Sequence, residues 1–132
     1  MEPLAGGLKT QVIPRSRSTK GIPSRYQASV TILEGYAAGM EYPIKKTYAV
    51  IGRSRDAAIQ LKDPLASRRH AAIMFNETAF LLKDLDSTNG TYMQGAYIRQ
   101  RKLAHGDKFR IGKTILQFIL QDSGKDTPYE IR

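Results

Sequence analysis

The chain has 132 residues, no cysteine and no tryptophan, and a formal net charge of +9. That length fits one domain, and the missing cysteines exclude disulfides, thiolate metal sites and a cysteine nucleophile. A basic balance favours anionic partners by long-range attraction: nucleic acid, anionic lipid or phosphorylated protein.

Residues 1–25 are rich in Gly, Pro, Ser and basic side chains, with Lys9, Arg15, Arg17, Lys20 and Arg25 set against one acid, Glu2. No apolar period emerges, so this stretch is expected to be a flexible basic tail. It has no continuous apolar core of the kind a signal peptide needs, and no run approaches membrane-spanning length, so a cytoplasmic protein without membrane insertion is expected.

From Tyr26 the texture changes. Ala28–Leu33 alternates and is β-branched, as a half-buried strand should be. Met40–Ile44, Thr47–Ile51 and Ala58–Leu61 follow as short strand candidates, with Gly52-Arg53-Ser54-Arg55-Asp56 breaking the pattern. His70–Phe75 and Ala79–Lys83 read as strands joined by Asn76-Glu77-Thr78. Thr91–Met93 and Ala96–Ile98 flank a Gln94-Gly95 turn, and Lys108–Ile111 and Thr114–Leu120 flank Gly112-Lys113. No segment holds a helical period for ten residues, so an all-β sandwich or barrel is expected, with residues 122–132 a polar C-terminal tail.

Ser87-Thr88-Asn89-Gly90-Thr91 stands out between two apolar runs. Asn-Gly is a strong signal for backbone with positive φ, and hydroxyls beside it can brace a loop or face a ligand. If His70–Phe75 and Ala79–Lys83 form a hairpin, the chain entering the first strand and leaving the second lie at one end. That sets Ser67-Arg68-Arg69-His70 beside Ser87–Thr91. The same logic does not place Gly52-Arg53, because residues 62–69 intervene.

Several blocks then align in order: Ile51-Gly52-Arg53, Ile59-x-Leu61, Ser67-Arg68-x-His70, Asp84-Leu85-x-Ser87-Thr88-Asn89-Gly90-Thr91, Leu103-x-x-Gly106-Asp107-x-Phe109-x-Ile111-Gly112 and Leu116-x-Phe118. Over residues 26–121 the chain resembles a forkhead-associated (FHA) domain, of the kind found in small bacterial single-domain proteins. The resemblance implies a two-sheet β-sandwich of about eleven short strands whose loops at one end bind phosphothreonine peptides in Ser/Thr kinase signalling, without cofactor, metal or catalysis. Carried onto this sequence, Arg53, Ser67, Arg68 and Thr88 would hold the phosphate and Asn89 the peptide main chain. Gly52, His70 and Gly90 would support the site. The segment before Ser67 would help choose the residue three places after the phosphothreonine, and Leu65 there favours an aliphatic one. Gln94 stands where many relatives carry Asn. Gln tolerates positive φ less well, so a somewhat different turn is expected.

The residue types suit that chemistry. Phosphothreonine carries about −1.5 to −2 charges and three strong acceptor oxygens, and Arg offers a permanent charge on a rigid donor fork. Ser67 and His70 lack the Gly-x-Ser-x-Gly surroundings of a hydrolase nucleophile. Gly112-Lys113-Thr114 resembles the end of a nucleotide-binding loop, but an alternating strand follows where a helix is required. A basic nucleic-acid-binding β-module is the alternative, resting on Tyr92, Tyr97 and Arg99. Finally, Thr10 and Thr19 each precede an isoleucine by three residues. Phosphorylated, either would offer the tail as a ligand for the chain's own site.

Overall fold

The computed structural model describes residues 21–124. Eleven strands and no helix occur among them. They are β1 Tyr26–Glu34, β2 Glu41–Ile44, β3 Tyr48–Gly52, β4 Ile59–Gln60, β5 Ala71–Phe75, β6 Phe80–Asp84, β7 Thr91–Met93, β8 Ala96–Tyr97, β9 Gln100–Leu103, β10 Lys108–Ile111 and β11 Thr114–Asp122. One sheet has the order β9-β6-β5-β3-β4 and the other β2-β1-β11-β10-β7-β8. Among the described residues no helix is long and apolar enough to cross a membrane.

Alternation decides which face each strand buries. Val30 and Ile32 of β1, Phe109 and Ile111 of β10, and Leu116 and Phe118 of β11 point inward from one sheet. Ala49 and Ile51 of β3, Ala71, Ile73 and Phe75 of β5, and Phe80 and Leu82 of β6 meet them from the other. Burying a large apolar side chain contributes about 1.5–3 kcal/mol, so this layer holds the sheets together.

The two ends of the core differ. At one, Tyr26, Phe75, Phe80 and Phe118 stack edge to face or tilted, with centroids 4.8–5.9 Å apart. At the other lie buried polar groups: Asp63, His70, Asp84, Thr91 and Thr114. The β5–β6 hairpin pairs Ala71 with Asp84 at the polar end and Phe75 with Phe80 at the aromatic end. Arg53, residues 62–70 and 85–90 therefore gather at the polar end.

Three features differ from the sequence expectations. Gln100-Arg101-Lys102-Leu103, which no sequence pattern marked as a strand, is an edge strand paired to β6. Residues 22–25, read as part of the tail, fold onto the body: Ile22 packs against the core, the Tyr26 N–H donates to the Pro23 carbonyl (3.0 Å), and Arg25 holds Asp122 through two hydrogen bonds. Gln94 and Gly95 both have positive φ (52° and 79°), the requirement of a primed two-residue hairpin turn. The turn expected to differ therefore keeps the primed pattern of φ with Gln in place of Asn. Thr10 and Thr19 lie outside the described residues.

Candidate functional site

β3 delivers Arg53 to the polar end. Its last residue, Gly52, lies so close to the 67–68 backbone that a Cβ there would sit 2.1 Å from the Arg68 carbonyl oxygen. Only glycine permits that approach. The Arg53 N–H then donates to the Ser67 carbonyl (3.0 Å) and the Ser54 N–H to the Arg68 carbonyl (3.1 Å). These contacts settle what the sequence left open, joining Gly52-Arg53 to Ser67-Arg68.

The Arg53 side chain is tethered as well. Its Nε–H donates to the Ala66 carbonyl at 2.7 Å. That bond uses one of five guanidinium donors and leaves both terminal nitrogens, with four N–H bonds, facing outward on an aimed fork.

His70 is fully buried and braces two loops. Its Nδ1 accepts the Ser67 N–H (3.0 Å), and its Nε2–H donates to the Gly90 carbonyl (2.9 Å). A nitrogen that accepts cannot carry a proton, so the ring is neutral with its hydrogen on Nε2. Burial pushes its pKa below the ordinary 6.5, against opposing pulls from the Gly90 carbonyl and the Asp84 and Asp63 carboxylates.

The 87–91 loop is fixed from beneath by Asp84. Its carboxylate accepts the Ser87 N–H (3.1 Å), the Ser87 hydroxyl (2.6 Å), the Thr91 hydroxyl (2.7 Å) and the Tyr97 hydroxyl (3.3 Å). Burial alone would raise its pKa, but the Ser87 and Thr91 donors and nearby His70 outweigh it and hold the carboxyl below its ordinary 3.8. Gly90 takes φ 89° at the bend. Across the loops, the Thr88 N–H donates to Ser67 Oγ (3.0 Å), and Asn89 Nδ2 donates to the Leu65 carbonyl (2.9 Å). So Ser67 and Thr88 do lie side by side, as the hairpin argument required.

Asp63 plays the matching part under the 62–69 segment. It accepts the Leu65 N–H (2.9 Å), the Lys113 N–H (2.7 Å) and the Thr114 hydroxyl (2.9 Å). Burial opposes its ionisation, yet these bonds and the Lys113 charge leave its pKa below 3.8. Lys113-Thr114 thus anchors a loop and opens β11, and no helix follows. Sequence reasoning missed both aspartates as supports. The available signal was Asp84 placed three residues before Ser87, the spacing at which an Asp side chain caps a following turn.

The structure brings Arg53, Ser67, Thr88 and Asn89 to one rim, with Arg68 exposed beside them and Gly52, His70 and Gly90 beneath. Leu65 is 41% exposed at the same rim, its carbonyl held by Asn89. No group of three or more His, Cys, Asp or Glu among the described residues is arranged to hold a metal. Of the aromatics named for a nucleic-acid surface, Tyr92 is half-buried, with Arg110 4.5 Å from its ring centroid and Tyr97 edge-on to it.

The FHA domain family model matches residues 49–112, from β3 to the end of β10. The glycogen accumulation regulator GarA of Mycolicibacterium smegmatis is 32% identical over 108 residues, 82% of this chain and 68% of GarA. The chain belongs to the FHA family. FhaA of Mycobacterium tuberculosis, described as an FHA domain-containing protein, is 39% identical over 84 residues, which are 64% of this chain. They are only 16% of FhaA, so the chain corresponds to a small part of that relative. Among solved FHA structures, one described by its phosphothreonine-dependent interactions superposes with a TM-score of 0.65 at 33% identity, over 70% of this chain and 95% of that one.

Proposed function

We propose that this FHA domain is a non-catalytic receptor for phosphothreonine peptides, serving phosphorylation-dependent protein–protein contacts in cytoplasmic Ser/Thr kinase signalling. The observation that carries the reading is the state of the donors at the rim. Arg53 is aimed by its Nε bond, and its two terminal nitrogens remain for a phosphate. Ser67 Oγ accepts the Thr88 N–H, so its own hydrogen is left to donate outward. The Thr88 hydroxyl and the Arg68 guanidinium add further donors. Asn89 spends an N–H on Leu65 and keeps its carbonyl oxygen for a main-chain N–H of an extended peptide.

Charge-assisted hydrogen bonds contribute about 1.5–3 kcal/mol each. Three or four of them, less the cost of association, correspond to micromolar affinity. The likeness to a domain with phosphothreonine-dependent interactions supports the same ligand. The Leu65 side chain, exposed at the rim, is assigned to an aliphatic residue three places after the phosphothreonine.

Calorimetric titration of one peptide in phosphothreonine, phosphoserine and unphosphorylated forms is the test. Micromolar binding is expected for the first, weaker binding for the second and none for the third. Equal affinity for the phosphorylated and unphosphorylated forms would overturn the reading.

A further inference from the structure

A broad, open concavity of ≈ 850 Å³ lies beside the rim. Arg53 forms part of its wall, together with Tyr36, Arg55, Gln60, Lys62 and Pro64. Three loops at the polar end build it: Tyr36 comes from β1–β2, Arg53 and Arg55 from β3–β4, and Lys62 and Pro64 from the segment after β4. It continues toward Met40, which with Tyr36 is among the most exposed large apolar side chains of the described residues, at 49% and 42%.

Its two outer cations make no direct contact with an acid. Among the described residues, neither Arg55 nor Lys62 has an ion pair or a side-chain hydrogen bond. The acids adjacent in sequence turn to other donors and form no ion pair with these cations. Asp56 accepts the Ser54 hydroxyl (2.5 Å), and Asp63 is turned inward to Leu65, Lys113 and Thr114. The cleft therefore sets two unpaired cations beside the exposed apolar side chains of Tyr36 and Met40, and it shares Arg53 with the phosphate rim.

Resting on the proposed phosphothreonine reading, we infer that this cleft selects carboxylate side chains flanking the phosphothreonine in the same peptide. Arg55 and Lys62 take the carboxylates, while Tyr36 and Met40 cover the methylenes of the acidic side chains. One fork, Arg53, spans both places, so an extended ligand leaving the phosphate enters the cleft directly. Exposed pairs of this kind are individually weak. Two of them correspond to about a three- to tenfold gain in affinity, and that gain is screened by salt.

The test uses the full 132-residue chain and three phosphothreonine peptides that differ only in their flanks: Glu at the three positions before, Glu at the three positions after, or Gln at both. One Glu peptide is expected to bind about three- to tenfold more tightly than the Gln peptide at 50 mM salt, with the gain lost at 500 mM. The Arg55→Ala/Lys62→Ala double variant is expected to lose that gain, keep its affinity for the Gln peptide and keep its melting temperature. Equal affinity for all three peptides, or a gain that survives in the double variant, overturns the inference while phosphate-dependent binding stands. If no peptide binds in a phosphate-dependent way, the proposed function itself fails and this inference falls with it.

Discussion

His70 can make both of its ring hydrogen bonds in only one protonation state. Nδ1 must be bare to accept the Ser67 N–H, and Nε2 must carry the hydrogen given to Gly90. Protonation turns the Nδ1 acceptor into a donor aimed at a donor. Because the folded-state pKa lies below 6.5, the unfolded chain takes up the proton first as pH falls. Stability is thus full above the ordinary histidine value and declines from there toward the lower folded value. Asp63 and Asp84 add a second loss at more acid pH, beginning near their ordinary 3.8, because their folded pKa values are depressed. Urea melts are expected to show a lower midpoint at pH 5 than at pH 7.5. In His70→Ala the difference between those two pH values should shrink, with a cost of about 3 kcal/mol at pH 7.5 from two orphaned backbone groups and a cavity. An unchanged pH dependence in that variant would assign the effect elsewhere. Arg53 is a different case, since its side chain faces outward and spends one bond on Ala66. Arg53→Ala should lose about 2–5 kcal/mol of phosphopeptide affinity, as when one partner of a hydrogen-bonded charge pair is truncated. Its melting temperature should fall little, and wild-type affinity in that variant would remove Arg53 from the site.

At the scale of strands and turns, two glycines separate assembly of the site from stability of the frame. A Cβ on Gly52 would meet the backbone of Arg68 and part β3 from the 67–68 segment. Gly52→Ala is therefore expected to destabilise by about 1–3 kcal/mol and also to lose phosphopeptide binding. Gly95 has φ 79° with nothing within 4 Å of a built Cβ, so Gly95→Ala meets only left-handed strain, about 1–2 kcal/mol. Peptide affinity should survive in the second variant and not in the first; equal losses would mean that Gly52 acts through global stability alone. The same scale shows what the sequence made legible. β1, β6 and β11 alternate over much of their length and β5 is a continuous apolar run bounded by turn signals, so these strands and the β5–β6 hairpin could be read directly. β9 could not. Of Gln100, Arg101, Lys102 and Leu103 only Leu103 is buried, because an edge strand carries charge in place of an alternating pattern. Residues 22–25 were hidden for a related reason: one apolar side chain, Ile22, and one ion pair fold them down, and neither leaves a periodic trace. At the candidate site, block order named the residues and the hairpin placed Ser67–His70 beside Ser87–Thr91. The Nε bond of Arg53 and the cross-loop bonds of Thr88 and Asn89 depend on side-chain direction, which spacing does not encode.

For the whole molecule, the polarity of the sandwich limits how residues 1–20 can meet the site. The chain joins the body at Ile22, beside Tyr26 and the aromatic end of the core, whereas Arg53, Ser67 and Thr88 crown the polar end. β5 alone spans roughly 13 Å between those ends, and the loops beyond His70 bring the separation to about 20 Å. Thr19 stands three residues before Ile22, a reach of at most about 11 Å in full extension. Thr10 stands twelve residues before it and reaches about 40 Å. On the proposed phosphothreonine reading, Thr10 would be within reach of the chain's own site in one molecule, whereas Thr19, falling short of it even in full extension, would reach the site of a neighbouring copy. Chain phosphorylated at Thr10 alone is expected to lose affinity for an external phosphothreonine peptide equally at 1 and 100 times a given dilution, since an intramolecular ligand has a fixed effective concentration. Chain phosphorylated at Thr19 alone should bind the external peptide normally when dilute and should lose affinity, with a rise in apparent mass, only when concentrated. Concentration-independent blocking by a Thr19 phosphate would show that the contact between Ile22 and the core opens to let the chain pass.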